Sequence, residues 1–299
     1  MDINIAVVPV AGLGTRLLPA TKSQPKEMLP VGRKPVVQYV AEELTRMGIQ
    51  RMLFVTGPGK SSIENHFDVN GELTQSLRES GKEELLAELS FERAPAQYFY
   101  TRQRQLLGLG HAVGMARSFV GNQPFVVALG DSIIGMNAQS DVVQRMNRCF
   151  LDNDAAAVIA FEEVPTNEVH HYGIAQPKLD DDRNIFQLAD VVEKPTAQEA
   201  PSNLAIAARY VFAPSIFDAI KRVAPGKNNE IQLTDAIRLI IQEGGKVYGV
   251  RLHENERRYD IGNFETYFRA FIEFSLADEK LGPSLRSYLT EYLAQTEGV

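Results

Sequence analysis

The chain has 299 residues, 44% hydrophobic and 23% charged, with a formal net charge of −7, which is soluble-globular composition at a length that buries a large core without disulfides or a structural metal. No block of Lys and Arg supplies the basic face of a general nucleic-acid binder, and no stretch approaches the roughly 20 apolar residues of a membrane span. Met1-Asp2-Ile3-Asn4 lacks the basic region of a signal peptide and the single cysteine, Cys149, excludes an intrachain disulfide, so a cytoplasmic protein with no membrane partner is expected.

Ile3–Val10 is a near-continuous, β-branched apolar run, the pattern of a central parallel strand. It opens into a long loop punctuated by Gly and Pro, residues 11–34. Ala11-Gly12-Leu13-Gly14-Thr15-Arg16 follows the strand directly, and Lys26 comes ten residues after Arg16. Glycines at the carboxyl end of a strand let backbone N–H groups approach a base or phosphates closely. Open α/β sheets bind ligands at that edge. A dinucleotide fingerprint would need glycine at position 17, where Leu17 stands. Arg16 and Lys26 are instead the fixed cations that a reacting triphosphate requires.

Pro35–Met47 has helical periodicity and stops at Gly48. Arg51–Thr56 reads as the second strand. Gly57-Pro58-Gly59-Lys60-Ser61 mimics a phosphate loop, but Phe54 occupies the position of the first glycine, so it reads as a turn capping the next helix. Helices are expected over Ser61–Phe67 and Glu72–Leu89, and a third strand over Gln97–Thr101. Gln103 then precedes Leu107-Gly108-Leu109-Gly110-His111. A carboxamide offers the donor and acceptor that suit a pyrimidine edge, and His111 reads as structural near the start of a helix at Gly110–Arg117. Phe125–Leu129 is a buried strand that ends in Gly130-Asp131. A carboxylate there can hold Mg²⁺ or cap the turn. Strand and helix alternate through residue 130, which argues for a doubly wound α/β sheet.

The second half is more mixed. Ala155–Phe161, Tyr172–Gln176, Ile185–Val192, Leu204–Phe212 and Lys246–Leu252 read as strands. Pro214–Arg222, Thr234–Gln242, Phe264–Ala277 and Gly282–Tyr292 read as helices. The expected organisation is one mixed α/β domain over residues 1–262 and a helical extension over 263–299. Glu193-Lys194-Pro195 follows a strand. A carboxylate accepts sugar hydroxyls while an ammonium pairs with a phosphate, and Pro195 makes it plausible that the strand opens at Lys194 so that both serve one substrate. Asn203 could add an amide to a sugar site, and Asp260 is a second strand-end carboxylate and possible metal ligand.

Together these residues resemble the bacterial UTP–glucose-1-phosphate uridylyltransferases of the sugar-nucleotide pyrophosphorylase superfamily. The likeness runs from about Ile5 to Phe268. It includes Val8–Pro19, Pro25–Pro30, Ser62–Asp68, Gly108–Val113, Val192–Pro195, Ser202–Ile206 and Glu230–Ile237. The Gly-x-Gly-Thr-Arg plus Pro-Lys set is common to the superfamily, whereas Ser62–Asp68 and Glu230–Ile237 point to the uridylyltransferase branch. The resemblance implies a Rossmann-like, mixed but mainly parallel sheet flanked by helices. Its C-terminal helices would build a homodimer or homotetramer. It also implies formation of UDP-glucose and pyrophosphate from UTP and glucose 1-phosphate, with Mg²⁺. Ala11, Gly12, Gln103 and Gly108 would hold the uracil nucleotide, within a loop that also carries Gly14 and Thr15. Arg16 and Lys26 would handle the triphosphate, and Asp131 the metal. Gly173, Glu193 and Lys194 would hold the sugar phosphate. Two departures stand out: Gly130 where relatives often have proline, and Ala207-Ala208 where they often have valine and glycine. Thymidylyl transfer on the same fold, or a catalytically silent regulatory copy, are the other readings, and the retained Arg16 argues against the second.

Overall fold

In the computed structural model, which describes residues 3–178, 184–226 and 229–296, the run ahead of the glycine loop is the strand Ile5–Pro9, buried from Ile5 to Val8. Met1 and Asp2 lie outside the described residues. The strand is central in a nine-stranded sheet. The order is Gln97–Arg102, Arg51–Thr56, Ile5–Pro9, Phe125–Ala128, Leu204–Phe212, Ala157–Glu163, Val247–Arg251, Ile185–Glu193, Gly173–Pro177. The first four run parallel to one another. Chain order reverses between Ile5–Pro9 and Phe125–Ala128, which is the switch point where a doubly wound sheet leaves a crevice beyond its carboxyl ends. The glycine loop leaves one side of that crevice and Asp131 the other.

From Leu204–Phe212 onward most pairings are antiparallel, with Val247–Arg251 parallel to Ala157–Glu163 the exception. The helices Leu109–Gly114, Ile216–Arg222 and Leu233–Gln242 cover one face, around Phe125, Phe212 and Phe217. The helices Val36–Arg46, Ser61–Phe67 and Val142–Asp152 cover the other, around Phe54, Phe67 and Met146. Cys149 belongs to that second layer, and burial pushes its thiol up to about 11. It behaves as an inert apolar residue.

Some expectations need correction. Glu72–Leu89 is two helices, Gly71–Glu79 and Glu83–Glu88. Gly81 at φ 67 breaks them, since a left-handed residue cannot continue the helix. The region expected to start a helix at Gly110–Arg117 is likewise split into Leu109–Gly114 and Arg117–Val120. The helix Val142–Asp152 was not anticipated, and Gly282–Thr296 runs four residues beyond its expected end. A small hairpin of distant segments, Ser132–Ile134 with Arg258–Asp260, was also missed.

The strand Leu204–Phe212 is interrupted between Ile206 and Tyr210, where its register with Ala157–Glu163 shifts. Ala208 sits there at φ 60. An L-residue in that region costs about 1–2 kcal/mol, so the Ala207-Ala208 departure carries backbone strain even though no functional group is lost. The bulge supports the turn that carries Asp131. The Ala208 carbonyl accepts from Leu129 N at 3.1 Å. The fully buried Arg209 pairs with buried Glu43 through Nε at 3.1 Å and Nη2 at 2.6 Å, and donates to the Ser132 carbonyl at 3.0 Å. That ties the helix Val36–Arg46 to the residue after Asp131.

Candidate active site

Two connected cavities lie beyond the carboxyl ends of the strands, one of about 610 Å³ and one of about 250 Å³. Leu109, Leu129 and Glu230 line both, so they form one cleft with two ends.

The larger end brings together Ala11, Gly12, Gly14, Thr15, Arg16, Lys26, Gln103, Gly108 and Asp131. Gly14 has φ 67 and sits against Thr21, whose hydroxyl donates to the Gly14 carbonyl at 2.8 Å. The loop then turns into Thr15–Leu17 with Leu17 fully buried, which leaves Arg16 exposed beside the cleft. Lys26 and Asp131 form a direct ion pair. Asp131 holds the ammonium of Lys26 above the ordinary lysine range. Burial opposes the charge of Asp131, but Lys26 and its hydrogen bond outweigh it and keep the carboxyl below the usual range.

The next residue along, Glu27, is buried and pairs with buried Lys60 at 2.8 Å. Lys60 was read only as part of a capping turn. Its ammonium instead anchors the segment that carries Lys26, and no side-chain cap is made there.

Gln103 is buried at the end of Gln97–Arg102. Its Nε2 donates to the Gly108 carbonyl at 3.2 Å and lies 2.9 Å from His111 Nδ1. Both hydrogens of the amide are thereby engaged, so Oε1 is the atom it offers a base. The donor role expected of this side chain is spent inside the protein, and His111 is the structural partner that fixes it. Gly108, at φ 93, lets the loop close onto the segment at 230–231: a Cβ there would lie 2.8 Å from Glu230 Cβ and 2.9 Å from the Ile231 carbonyl.

Asp260 does not line either cavity but stands at their edge. It pairs in register with Ser132, and Ile261 N donates to the Asp131 carbonyl at 3.0 Å. Burial and the charge of Asp131 both push the Asp260 carboxyl up, against Arg258, Lys26 and Arg16. Two half-buried carboxylates that repel one another, set beside a cleft of about 610 Å³, are the hard oxygen donors that fit a Mg²⁺ ion. A second acidic group, Asp141, His253 and Glu256, lies elsewhere. Glu256 there is already satisfied by Ser140, Arg145 and two backbone N–H groups.

The smaller end contains Gly173, Glu193 and Lys194. Gly173 is opposite Glu193 in register, and a Cβ on it would meet Ile206 at 2.7 Å. The strand ends at Glu193 and Lys194 turns back at φ 46, with its N–H on the Tyr172 carbonyl at 2.9 Å. That left-handed turn is the opening that Pro195 suggested. It sets Lys194 Nζ 3.2 Å from Glu193 Oε1 instead of on the opposite face. Asn203 is exposed and outside the walls of both cavities, and its carbonyl accepts from Val164 N at 3.0 Å.

Arg258 and Thr234 also line this end and were missed. Arg258 pairs with Glu162 and lies over the Tyr172 ring at 4.6 Å. Its signal was period two: Arg258 and Asp260 share a strand face. Thr234 carried no local signal, because its partner is 41 residues away.

Comparison with known proteins follows the same lines. The family model described as nucleotidyl transferase matches residues 5–275. A UTP–glucose-1-phosphate uridylyltransferase of Staphylococcus haemolyticus is 41% identical, over 97% of this chain and 98% of its own. The UTP-bound UGPase from Acinetobacter baumannii superimposes with a TM-score of 0.87 at 38% identity, covering 97% of this chain and 99% of that one. A UDP-glucose pyrophosphorylase complexed with UDP-glucose gives a TM-score of 0.82 at 35% identity, covering 92% of this chain and all of the other.

Proposed function

The chain belongs to the nucleotidyl transferase family, and on that premise we propose how its cleft works. It is a uridylyltransferase that joins UTP and glucose 1-phosphate into UDP-glucose and releases pyrophosphate. The observation that carries the reading is the single cleft, with Arg16, Lys26 and Asp131 at one end and Glu193 and Lys194 at the other.

A phosphate oxygen of glucose 1-phosphate attacks the α-phosphorus of UTP in line, and the bond to the β-phosphate oxygen breaks. The attacking group is already anionic, so the protein supplies position and charge neutralisation in place of a nucleophile. Gln103 Oε1 accepts from an N3–H, which uracil has and cytosine lacks. Backbone groups of Ala11, Gly12 and Gly108 hold the rest of the nucleoside. Arg16 and Lys26 counter the charge that builds on the leaving pyrophosphate. Lys194 draws the sugar phosphate toward the triphosphate, and Glu193 accepts from sugar hydroxyls. Arg258, which lines the same cavity as Lys194, adds a second fixed cation. Asp131 and Asp260 would hold Mg²⁺, which would supply further positive charge against the negative charge of the reacting phosphates. Lys26 must then exchange Asp131 for the nucleotide.

The fold leaves apolar side chains exposed on its last two helices, Phe264–Leu276 and Gly282–Thr296: Phe268, Phe271, Ile272 and Tyr288 among them. The inner side of the first, through Ala270 and Phe274, packs on Tyr39 and Tyr259. We assign the outer side to contact with further copies of the chain, as a dimer or tetramer. Among the described residues no helix is long and apolar enough to cross a membrane, and the buried free thiol suits the cytoplasm, where UTP is made and used.

Pyrophosphate release measured over a matrix of nucleoside triphosphates and sugar 1-phosphates tests the reading. UTP with glucose 1-phosphate should exceed every other pairing and fall to background with chelator. A preference for dTTP, or hydrolysis without any sugar phosphate, would overturn it.

A further inference from the structure

The stretch Glu230–Ile237 resembles the uridylyltransferases closely, yet the reaction as described gives most of it no task. Its geometry supplies one. Ile231 N donates to the Leu107 carbonyl at 2.8 Å, and Gly110 N donates to the Ile231 carbonyl at 2.8 Å. Three residues on, at the start of the helix Leu233–Gln242, buried Thr234 donates its hydroxyl to Glu193 Oε2 at 2.6 Å. The segment is therefore hydrogen-bonded to the base-reading loop at one end and to the sugar-reading carboxylate at the other. Gly173 closes the arrangement from the third side, since a Cβ there would lie 3.3 Å from Thr234 Oγ1 and 3.4 Å from Glu193 Oε2.

The two oxygens of Glu193 are thus unequal. Oε2 is engaged by Thr234. Oε1 faces Lys194 at 3.2 Å on the cavity side and becomes available to a sugar when Lys194 turns to a phosphate. A carboxylate on its own rotates broadly about its last torsion. Glucose and galactose differ only in the direction of one hydroxyl, so an acceptor that tells them apart must be held still. A threonine hydroxyl has a single hydrogen. Having donated it to Glu193, Thr234 has none left for the sugar, and it acts through Glu193.

We propose that Thr234 is a positioning residue for sugar selection: its hydroxyl locks the Glu193 carboxylate so that Oε1 meets the correct hydroxyl, and the Glu230–Thr234 segment ties that lock to the base-binding loop. The proposal rests on Glu193 reading the sugar, and the experiment separates the two. kcat/KM for glucose 1-phosphate and galactose 1-phosphate is measured at saturating UTP in wild type, Thr234→Val, Thr234→Ser and Glu193→Gln, with thermal melting of each. Valine keeps the shape and removes the hydroxyl, while serine keeps the hydroxyl. Thr234→Val should raise KM for glucose 1-phosphate roughly tenfold, as expected for losing a hydrogen bond to a charged group. It should bring the glucose-to-galactose ratio down toward that of Glu193→Gln, leaving kcat and the KM for UTP close to wild type. Thr234→Ser should retain the wild-type ratio even if it melts earlier than the valine variant, which a merely structural role would not produce. A wild-type ratio in Thr234→Val beside a collapsed one in Glu193→Gln would overturn the proposal alone. A collapsed ratio in Thr234→Ser would overturn it as well. A wild-type ratio in Glu193→Gln would remove the premise and the proposal with it.

Discussion

Each end of the cleft carries an acid–base pair, and the two pairs are built differently. Lys26 and Asp131 are 105 residues apart and meet only because the fold sets the two sides of the switch point together. Their side chains keep 15% and 18% of their exposure. Glu193 and Lys194 are neighbours in the chain, joined at 3.2 Å by one left-handed turn, and the lysine keeps 47% of its exposure. At the larger end each charge supports the other's burial, so the groups proposed for catalysis also hold the structure. At the smaller end the lysine is open and spends little on the fold. A charge that is held for structure must be released before it can serve a substrate, whereas an exposed one is free to move.

The largest effects should follow that division. Lys26→Ala and Lys194→Ala should each lower turnover by roughly 30- to 4,000-fold, the rate equivalent of losing about 2–5 kcal/mol of charge stabilisation. Only Lys26→Ala should also weaken the fold, by on the order of 2–3 kcal/mol, because it strands Asp131 beside Asp260 and Glu27. An open pair such as that of Lys194 contributes less than about 1 kcal/mol. Urea denaturation beside steady-state kinetics measures both quantities. Equal destabilisation by the two substitutions would break the comparison.

A smaller effect sharpens it. Burial and Asp131 push the Asp260 carboxyl up. A carboxyl raised in the folded state weighs against folding while it is ionised, and that burden lifts as pH falls through the raised value. Asp260→Asn should therefore melt higher than wild type in chelator at neutral pH. The advantage should shrink on acidification, and in Mg²⁺ wild type should gain more stability than the variant. An Asp260→Asn protein that melts lower in chelator would show that its charge is stabilising without a cation.

The parallel half of the fold was legible because its strands are unbroken apolar runs rich in β-branched residues, as in Ile5–Val8 and Phe125–Ala128, and because glycine loops follow them. Periodicity was less informative where tertiary contacts decide the structure. Gly81 breaks a helix whose flanks both read as helical. Ser132–Ile134 and Arg258–Asp260 are strands of three residues that exist only through each other. The site divides in the same way. Arg16, Lys26, Gln103, Asp131, Glu193 and Lys194 stand out because their residue types follow strand ends. Lys60 and Thr234 could not be assigned, since their work is to hold Glu27 and Glu193, and a partner that distant in the chain leaves no spacing to read.

The most direct measurement follows the label from UTP carrying a radioactive α-phosphate. With glucose 1-phosphate and Mg²⁺ present, the label should pass into UDP-glucose in equal amount to the pyrophosphate released. Without the sugar phosphate it should remain in UTP, with none on the protein. Label bound covalently to the protein, or released as UMP in the absence of the sugar, would contradict direct transfer between two substrates held in one cleft.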